Sequence, residues 1–366
     1  MSQTKIKPIA MYLPQYHPIP ENDEWWGKGF TEWTNVTKAK PLFKDHYQPH
    51  LPADLGFYDL RLPETRQAQA DMAREHGIFG FCYYHYWFNG KTLLEKPIEA
   101  MLKSGTPDFP FCMCWANENW SRNWDGKFKN ILIEQKYCFD DDVEHIRALV
   151  PFFADPRYIR VHNKPVFIVY RTELFPDIKR TAAIWRAESI KSGIGDLYLI
   201  RVESFDRNVD PQSIGFDASF EFQPNWDIQP RRQYGNVFNR ALDLVGVKTS
   251  VFSRNQVRLY KDFVDTQIQR AVKTAYKRYP GIMPMWDNTA RRKTDAYVLH
   301  GSTPEEYGKW LKHIVHTFQP YSEEENFIFI NAWNEWGEGN HLEPCQKWGT
   351  SYLEITRKVL NPELNQ

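Results

Sequence analysis

Apolar runs of strand length alternate with amphipathic stretches of helix length along most of the chain. Ile6 to Leu13 is the first run. Pro63 to His76 then reads as a helix, with Pro63 near its start and Gly77 just past its end. The second run, Ile78 to Phe88, precedes a helical stretch from Thr92 to Lys103. The third, Pro110 to Trp115, precedes one from Asp140 to Phe153, where Asp140, Asp141 and Asp142 read as an N-terminal cap. Pro165 to Tyr170 is a fourth strand, and Asp177 to Lys191 the helix after it. Leu197 to Val202 and Asp217 to Phe222 are the fifth and sixth strands, so close that the helix between them must be reduced or missing. Gln256 to Arg278 reads as a long helix, Gly281 to Trp286 as the seventh strand and Pro304 to Phe318 as a helix. Asn326 to Ala332 is the eighth strand, and Tyr352 to Leu360 a closing helix.

Eight strands alternating with helices predict an α/β fold with a parallel sheet covered on both faces. Eight is also the count that closes a barrel. The expectation is one (β/α)8 TIM barrel, a single catalytic domain over residues 1–366. A doubly wound open sheet is the main rival. No G-x-G-x-x-G follows a strand to support it. Two connections are unusually long, Pro14 to Leu62 after the first strand and Gln223 to Asn255 after the sixth. Both leave the strand ends where a barrel builds its active site, and loops of that length are more often functional than idle.

Composition narrows the chemistry. The chain carries 14 Trp, 19 Tyr and 24 Phe. Many must fill the core, yet Trp and Tyr favour sites with one wet side. Flat apolar faces of that kind hold sugar rings. Basic and acidic residues balance at 46 each, so overall charge gives no case for nucleic acid or an anionic membrane as the main partner. Of the five cysteines, Cys82, Cys112 and Cys114 lie in strand-like runs and read as buried thiols. No spacing suggests a zinc site or a disulfide framework. No apolar run is long enough to span a bilayer. The first residues lack a signal-peptide pattern, so a cytoplasmic location is expected.

Polar and aromatic residues collect at the predicted strand ends. Tyr12, Gln15, His17, Glu32 and Trp33 follow the first strand. His85 and Trp87 end the second. Trp115, Asn117, Glu118 and Trp120 follow the third. Glu203 and Glu221 end the fifth and sixth, Trp286 and Asp287 the seventh. Asn334, Glu335, Trp336 and Glu338 follow the eighth. Glu335 and Glu338 are the candidate catalytic pair, and the others are candidate substrate contacts. Three residues apart on a helix-like turn, the two glutamates would have Cβ atoms roughly 5–6 Å apart. Carboxylates that close split their pKa values and leave one protonated, an acid and a base from one segment. Glycoside cleavage needs such a pair. An exposed acidic loop is the plain alternative, and the interleaved Trp333 and Trp336 speak against it. Glu32 and Glu118 fit a buried ion pair as well as a substrate contact. For His17 and His85 a core or rim role is the simpler reading. His313 and His316 read as surface, Trp185 and Trp310 as core.

The segment Asn334-Glu335-Trp336-Gly337-Glu338-Gly339, followed by Glu343-Pro344, resembles the catalytic segment of family 99 glycoside hydrolases, the endo-α-1,2-mannosidases and mannanases. Met11-Tyr12-Leu13-Pro14-Gln15-Tyr16-His17-Pro18, Phe30-Thr31-Glu32-Trp33-Thr34-Asn35, Phe81 to Phe88 and Trp115 to Trp120 resemble a narrower group. These are the family-99-like, WbsX-type proteins of bacterial polysaccharide gene clusters. The resemblance implies a retaining mechanism without a covalent glycosyl-enzyme. Glu335 would deprotonate the sugar 2-hydroxyl, which attacks its own anomeric carbon to give a 1,2-anhydro sugar. Glu338 would protonate the leaving group and then activate water. This requires a 2-hydroxyl trans to the leaving group, as in α-mannosides and α-rhamnosides, and no metal or cofactor. Gly337 stands where family 99 members commonly carry a bulkier residue.

These readings predict a retaining glycoside hydrolase, a monomer, acting on an oligo- or polysaccharide of bacterial origin. The alternatives are a glycosyltransferase or transglycosylase in O-antigen or capsule assembly, and a non-catalytic carbohydrate-binding barrel.

Overall fold

The computed structural model describes residues 6–121, 131–244, 246–247, 250–270 and 274–361. Its centre is a ring of parallel strands. In chain order these are β1 (Lys7–Tyr12), β2 (Gly80–Phe88), β3 (Phe111–Trp115), β4 (Lys164–Val169), β5 (Tyr198–Glu203), β6 (Ala218–Glu221), β7 (Arg278–Tyr279), β8 (Gly281–Ile282) and β9 (Phe327–Ile330). Each pairs in parallel with its neighbour from β1 through β7, β8 pairs with β9, and β9 returns to β1. β7 and β8 are two halves of one barrel strand, parted at Pro280, which has no N–H to give the ladder. Eight strand positions therefore close the barrel, the (β/α)8 architecture the pattern predicts.

The strands form because they are apolar on both faces. β3 and β5 are buried at every position and β1 at all but its first residue. Cys82, Cys112 and Cys114 are buried free thiols within this sheet. Outside the ring lie α1 (Pro63–Glu75), α2 (Lys96–Ser104), α3 (Phe139–Phe153), α4 (Ile178–Lys191), α5 (Tyr260–Gln269), α6 (Pro304–Thr317) and α7 (Ser351–Leu360). Trp185 on α4 and Trp310 on α6 are fully buried beneath them. Between β5 and β6 there is only a single 3-10 turn, Pro211–Ile214. The two long loops after β1 and β6 lie at the C-terminal ends of the strands, the former carrying Trp33–Val36 and the latter the helix Val237–Leu244.

Four expectations fail locally. The helix expected from Thr92 starts only at Lys96, because Lys91–Leu93 pairs back on β2 as a short strand. Gln256 to Arg278 is not one helix. Gln256–Leu259 is a strand that pairs with Tyr297–His300, and only then does α5 begin. Cross-strand pairing outweighs the helical periodicity there. The seventh strand stops at Ile282. Trp286–Asp287 joins the same small sheet as Tyr297–His300, antiparallel to it. Asp140, Asp141 and Asp142 lie inside the first turn of α3, and the cap position belongs to Cys138. Asp141 accepts from the Trp87 indole and Asp142 from the Thr181 hydroxyl, so these carboxylates tie α3 to its neighbours.

Closure at the split strand leaves no room for a side chain. A Cβ on Gly281 would sit 1.7 Å from the carbonyl oxygen of Glu221, a backbone atom of β6. Gly281→Ala is expected to destabilise the barrel by about 1–3 kcal/mol or more, as overpacked cores do. Urea unfolding of the variant beside wild type measures it. Equal midpoints would show that β6 and β8 separate freely.

Candidate active site

The segment after β9 turns back on itself. Asn334–Glu335 pairs antiparallel with Asn340–His341, and the 3-10 turn Trp336–Glu338 joins them. Gly339 closes the turn at φ 54°, left-handed backbone that glycine adopts without strain. Buried polar groups hold this turn from behind. The Asn334 side chain accepts from the Leu13 N–H at 2.7 Å and donates to the Leu13 carbonyl at 3.0 Å, an amide copying a strand-to-strand contact. The Tyr16 hydroxyl donates to the Asn334 carbonyl and accepts from the Trp336 N–H. Trp336 stacks on His341 at 3.7 Å, and its indole N–H donates to Glu343 at 2.7 Å. Tyr58 and Gln69 also donate to Glu343. Burial pushes the Glu343 carboxyl up to about 7, against these donors.

In front of the turn, one guanidinium meets three carboxylates. Arg291 Nε lies 2.9 Å from Glu32 Oε1, Nη2 lies 2.5 Å from Glu335 Oε1, and Nη1 lies 3.2 Å from Glu338 Oε1. Glu32 is fully buried. Glu338 retains about a quarter of its side-chain exposure and Glu335 less. Burial raises the Glu335 carboxyl to about 8. Arg291 opposes that shift, while the charges of Glu338 and Glu32 add to it. Burial raises Glu338 as well, with Arg291 and Arg292 opposing. Two interacting carboxyls this close titrate as a pair. Both directions are upward, so the pair keeps a proton near neutral pH.

Gly337 makes this cluster possible. A Cβ there would fall 2.0 Å from Glu32 Oε1 and 2.6 Å from Arg291 Nε. The missing side chain is the space the buried ion pair occupies.

Glu335 and Glu338 face a cleft of about 940 Å³, whose walls mix aromatic side chains with charged and amide groups. Of the predicted contacts, Gln15, Glu118, Trp120 and Trp286 line it with them. Glu118 is held by Arg171, which also lines the cleft. Trp120 leans on Tyr86 and Trp25.

The other candidates lie outside the cleft. Strand alternation explains several. Tyr84, Tyr86 and Phe88 of β2 point into the cleft, so His85 and Trp87 point outward. His85 meets His145 of α3 at 2.9 Å, and Trp87 reaches Asp141. Trp115 packs against Trp185 and donates to the Trp87 carbonyl. Tyr12 donates to Gln69 of α1. Asn117 bonds the Arg171 backbone and Tyr137. Glu203 meets Arg278, Tyr276 and Ser219, and Glu221 meets Arg270 and Asn225. Asp287 accepts from His46 and Thr289, fixing the turn that presents Arg291. Trp33 packs on Trp336 and donates to the Tyr58 carbonyl. His17 is fully buried, and burial lowers its pKa to about 4. Asn334, Trp336 and Glu32 act on the glutamate pair from behind or beside it, as described.

Sequence reasoning missed Arg291, together with Tyr84, Tyr86, Tyr170, Trp226 and Tyr297 on the cleft wall. The parity of β2 was a signal for its tyrosines. Nothing local marks Arg291. Among the described residues, no group of three His, Cys, Asp or Glu is placed to hold a metal ion.

A family model described as "Glycosyltransferase WbsX" matches residues 8–356. The chain belongs to this family. Two curated WbsX-like relatives, both described as "Uncharacterized protein WxcX", come from two strains of Xanthomonas campestris pv. campestris. They are 43% and 44% identical over 353 residues, 96% of this chain. The chain spans about half the length of these relatives, 49% of each. Among solved structures, a GH99 endo-alpha-mannosidase from Bacteroides thetaiotaomicron superposes with a TM-score of 0.57. It covers 98% of this chain and 97% of its own, at 14% identity. A "Glycoside hydrolase-like protein" reaches 0.59 at 13% identity, over 98% of this chain and 95% of its own. At that identity the likeness establishes the fold alone. The family's description says transferase, while these structural neighbours are hydrolases or hydrolase-like.

The contact between Gly337 and the Glu32–Arg291 pair gives a test. Gly337→Ala is expected to displace one of the two side chains and to cost about 1–3 kcal/mol. Glu32→Gln should recover part of that loss in a double-mutant cycle, because the displaced group is then uncharged. Chemical denaturation of the four proteins checks it. Strict additivity would mean that Gly337 and Glu32 do not share this space.

Proposed function

We propose that this chain is a retaining glycoside hydrolase acting on α-linked mannose- or rhamnose-type residues of a bacterial polysaccharide. The observation that carries the reading is the pair Glu335 and Glu338, set on one turn, facing an open, partly aromatic cleft and bound to one arginine. Glu335 takes the proton of the sugar 2-hydroxyl, and that oxygen attacks the anomeric carbon. Glu338 gives its proton to the departing glycosidic oxygen. The product is a 1,2-anhydro sugar. Glu338, now ionised, then takes a proton from water as the water oxygen attacks the same carbon. The epoxide opens, its oxygen recovers the proton from Glu335, and two inversions restore the starting configuration.

The scheme needs one proton between two carboxyls. Burial raises both carboxyls, Glu335 to about 8, so the pair keeps a proton near neutral pH. In the free protein that proton rests on Glu335, so the scheme requires it to pass to Glu338 as the sugar binds, with Arg291 2.5 Å from Glu335 stabilising the carboxylate left behind. Aromatic side chains in the walls offer stacking surfaces for sugar rings, and the volume is large enough for more than one of them.

Transfer instead of hydrolysis is the second reading, favoured by the family's description. It uses the same residues, with an acceptor hydroxyl in place of water.

Product analysis on α-mannans, rhamnans and O-antigen polysaccharides tests the proposal. Wild type should release products of retained configuration. Glu335→Gln and Glu338→Gln should each lower kcat by about 10²–10⁴-fold, the usual contribution of general acid–base catalysis. Cleavage that survives both substitutions would sink the assignment. Products extended by an added acceptor sugar would decide for transfer.

The pH profile follows from the same pair. The one-proton state is active, so activity falls on the acid side as the base is protonated. It falls on the alkaline side as the last proton leaves the pair, a limb that the upward shifts of both carboxyls move above the ordinary carboxylate range. Arg291 opposes the upward shift of both carboxyls, so Arg291→Gln should move both limbs to higher pH and lower kcat. A profile that keeps its position in Arg291→Gln would contradict the electrostatic role given to Arg291.

A further inference from the structure

The helix Val237–Leu244, in the loop after β6, has no buried residue. Its half-buried positions are Asn239, Leu242 and Asp243, and Asp243 lies 3.5 Å from Arg232. Apart from Leu242, the larger apolar residues face the other way. Val237 is 84% exposed, Phe238 70% and Leu244 79%, with Val247 exposed just beyond. Val237, Ala241 and Leu244 recur at helical spacing with Phe238 beside them, so they form one stripe. This stripe turns toward solvent, the reverse of an ordinary surface helix. Contiguous exposed apolar surface of this kind marks an interaction site.

Charge selects the partner. The chain as a whole is balanced, but the stretch from Arg231 to Arg254 carries five basic residues and one acidic residue. Arg240 is exposed on the helix beside the apolar stripe, Arg231 is exposed in the loop that leads to it, and the single carboxylate of the stretch, Asp243, is engaged with Arg232. Arg232 also donates to the carbonyls of Phe252, Ser253 and Asn255, which fastens the helix to the body. A short helix with an apolar face and a cationic border is built to lie in the plane of an anionic bilayer.

We propose that this helix docks the protein on an anionic lipid surface. Val237, Phe238 and Leu244 enter the interfacial layer, and Arg231 and Arg240 meet the lipid phosphates. Gln229 and Arg258, which flank the segment in sequence, line the cleft that Glu335 and Glu338 face. The proposal is independent of the reaction assigned to the cleft.

Cosedimentation with phosphatidylcholine vesicles, with and without phosphatidylglycerol, tests it on the full chain. Wild type should bind the anionic vesicles about tenfold more tightly than the neutral ones, and less tightly as salt rises. The pairs Phe238→Ser with Leu244→Ser, and Arg231→Gln with Arg240→Gln, should each reduce binding about tenfold. Their unfolding curves should match wild type, since the altered side chains are exposed. Absence of binding by wild type, or binding unchanged in both pairs, would overturn the proposal. So would a wild-type dimer in analytical ultracentrifugation that the Phe238→Ser and Leu244→Ser pair converts to monomer. That result would assign the face to a second copy of the chain.

Discussion

A guanidinium set among three carboxylates holds together only if every partner is fixed in place. Burying each charge costs several kcal/mol, and the attraction offsets that cost only in good geometry. Arg291 supplies the geometry through its planar fork, which offers separate N–H groups to Glu32, Glu335 and Glu338. A lysine in that place would present a point charge and could not span three acceptors. The surplus of negative charge has a chemical consequence. Three carboxylates against one cation in a poorly hydrated site favour uptake of a proton, and the glutamate pair is where the pKa values rise. The same imbalance that makes the cluster costly makes it useful.

The barrel's contribution is to bring remote parts of the chain to this one point. Glu32 comes from the loop after β1, Arg291 from the turn after the seventh strand position, and the glutamate pair from the turn after β9. Because β9 lies between β8 and β1 in the ring, these three loops are neighbours, although the residues are up to 306 positions apart in sequence. Buried contacts then set each loop to within a hydrogen bond. Asn334 ties the glutamate turn to Leu13 at the end of β1, and Asp287 with His46 sets the turn that carries Arg291. Asn334 and Asp287, both expected as substrate contacts, make these buried contacts.

That division explains what the sequence made legible. The barrel could be read because strand-length apolar runs and amphipathic stretches alternate in a fixed order, and local composition determines both. The glutamate turn could be read because both carboxylates sit in one short segment. Finer features depended on parity. A β-strand sends successive residues to opposite faces, so choosing His85 and Trp87 over Tyr84 and Tyr86 missed the cleft by one position. The hairpin at the end of β2 also had a local signal, Asn89-Gly90, both at positive φ, which turns the chain so that Lys91–Leu93 pairs back on β2. Gln256–Leu259 had no such signal. Its strand character comes from Tyr297–His300, some forty residues away. Arg291 was invisible for the same reason, since its partners are distant in sequence and one arginine among many carries no pattern.

Gly337 shows how a single position links fold to chemistry. The turn between the two glutamates could hold a larger residue as far as its own backbone is concerned, for the left-handed position is the next one, Gly339. What excludes a side chain is Glu32, brought in by the loop after β1. Any residue with a Cβ would have to push Glu32 or Arg291 away. Loss of Glu32 would leave Arg291 with two acceptors, reduce the surplus negative charge and ease the carboxyls of Glu335 and Glu338 back toward their ordinary range. The identity of residue 337 therefore bears on proton affinity through space alone, without carrying any charge. A relative with a bulkier residue between its glutamates must place its third carboxylate elsewhere or dispense with it. Its catalytic pair would then reach a shared proton by other means.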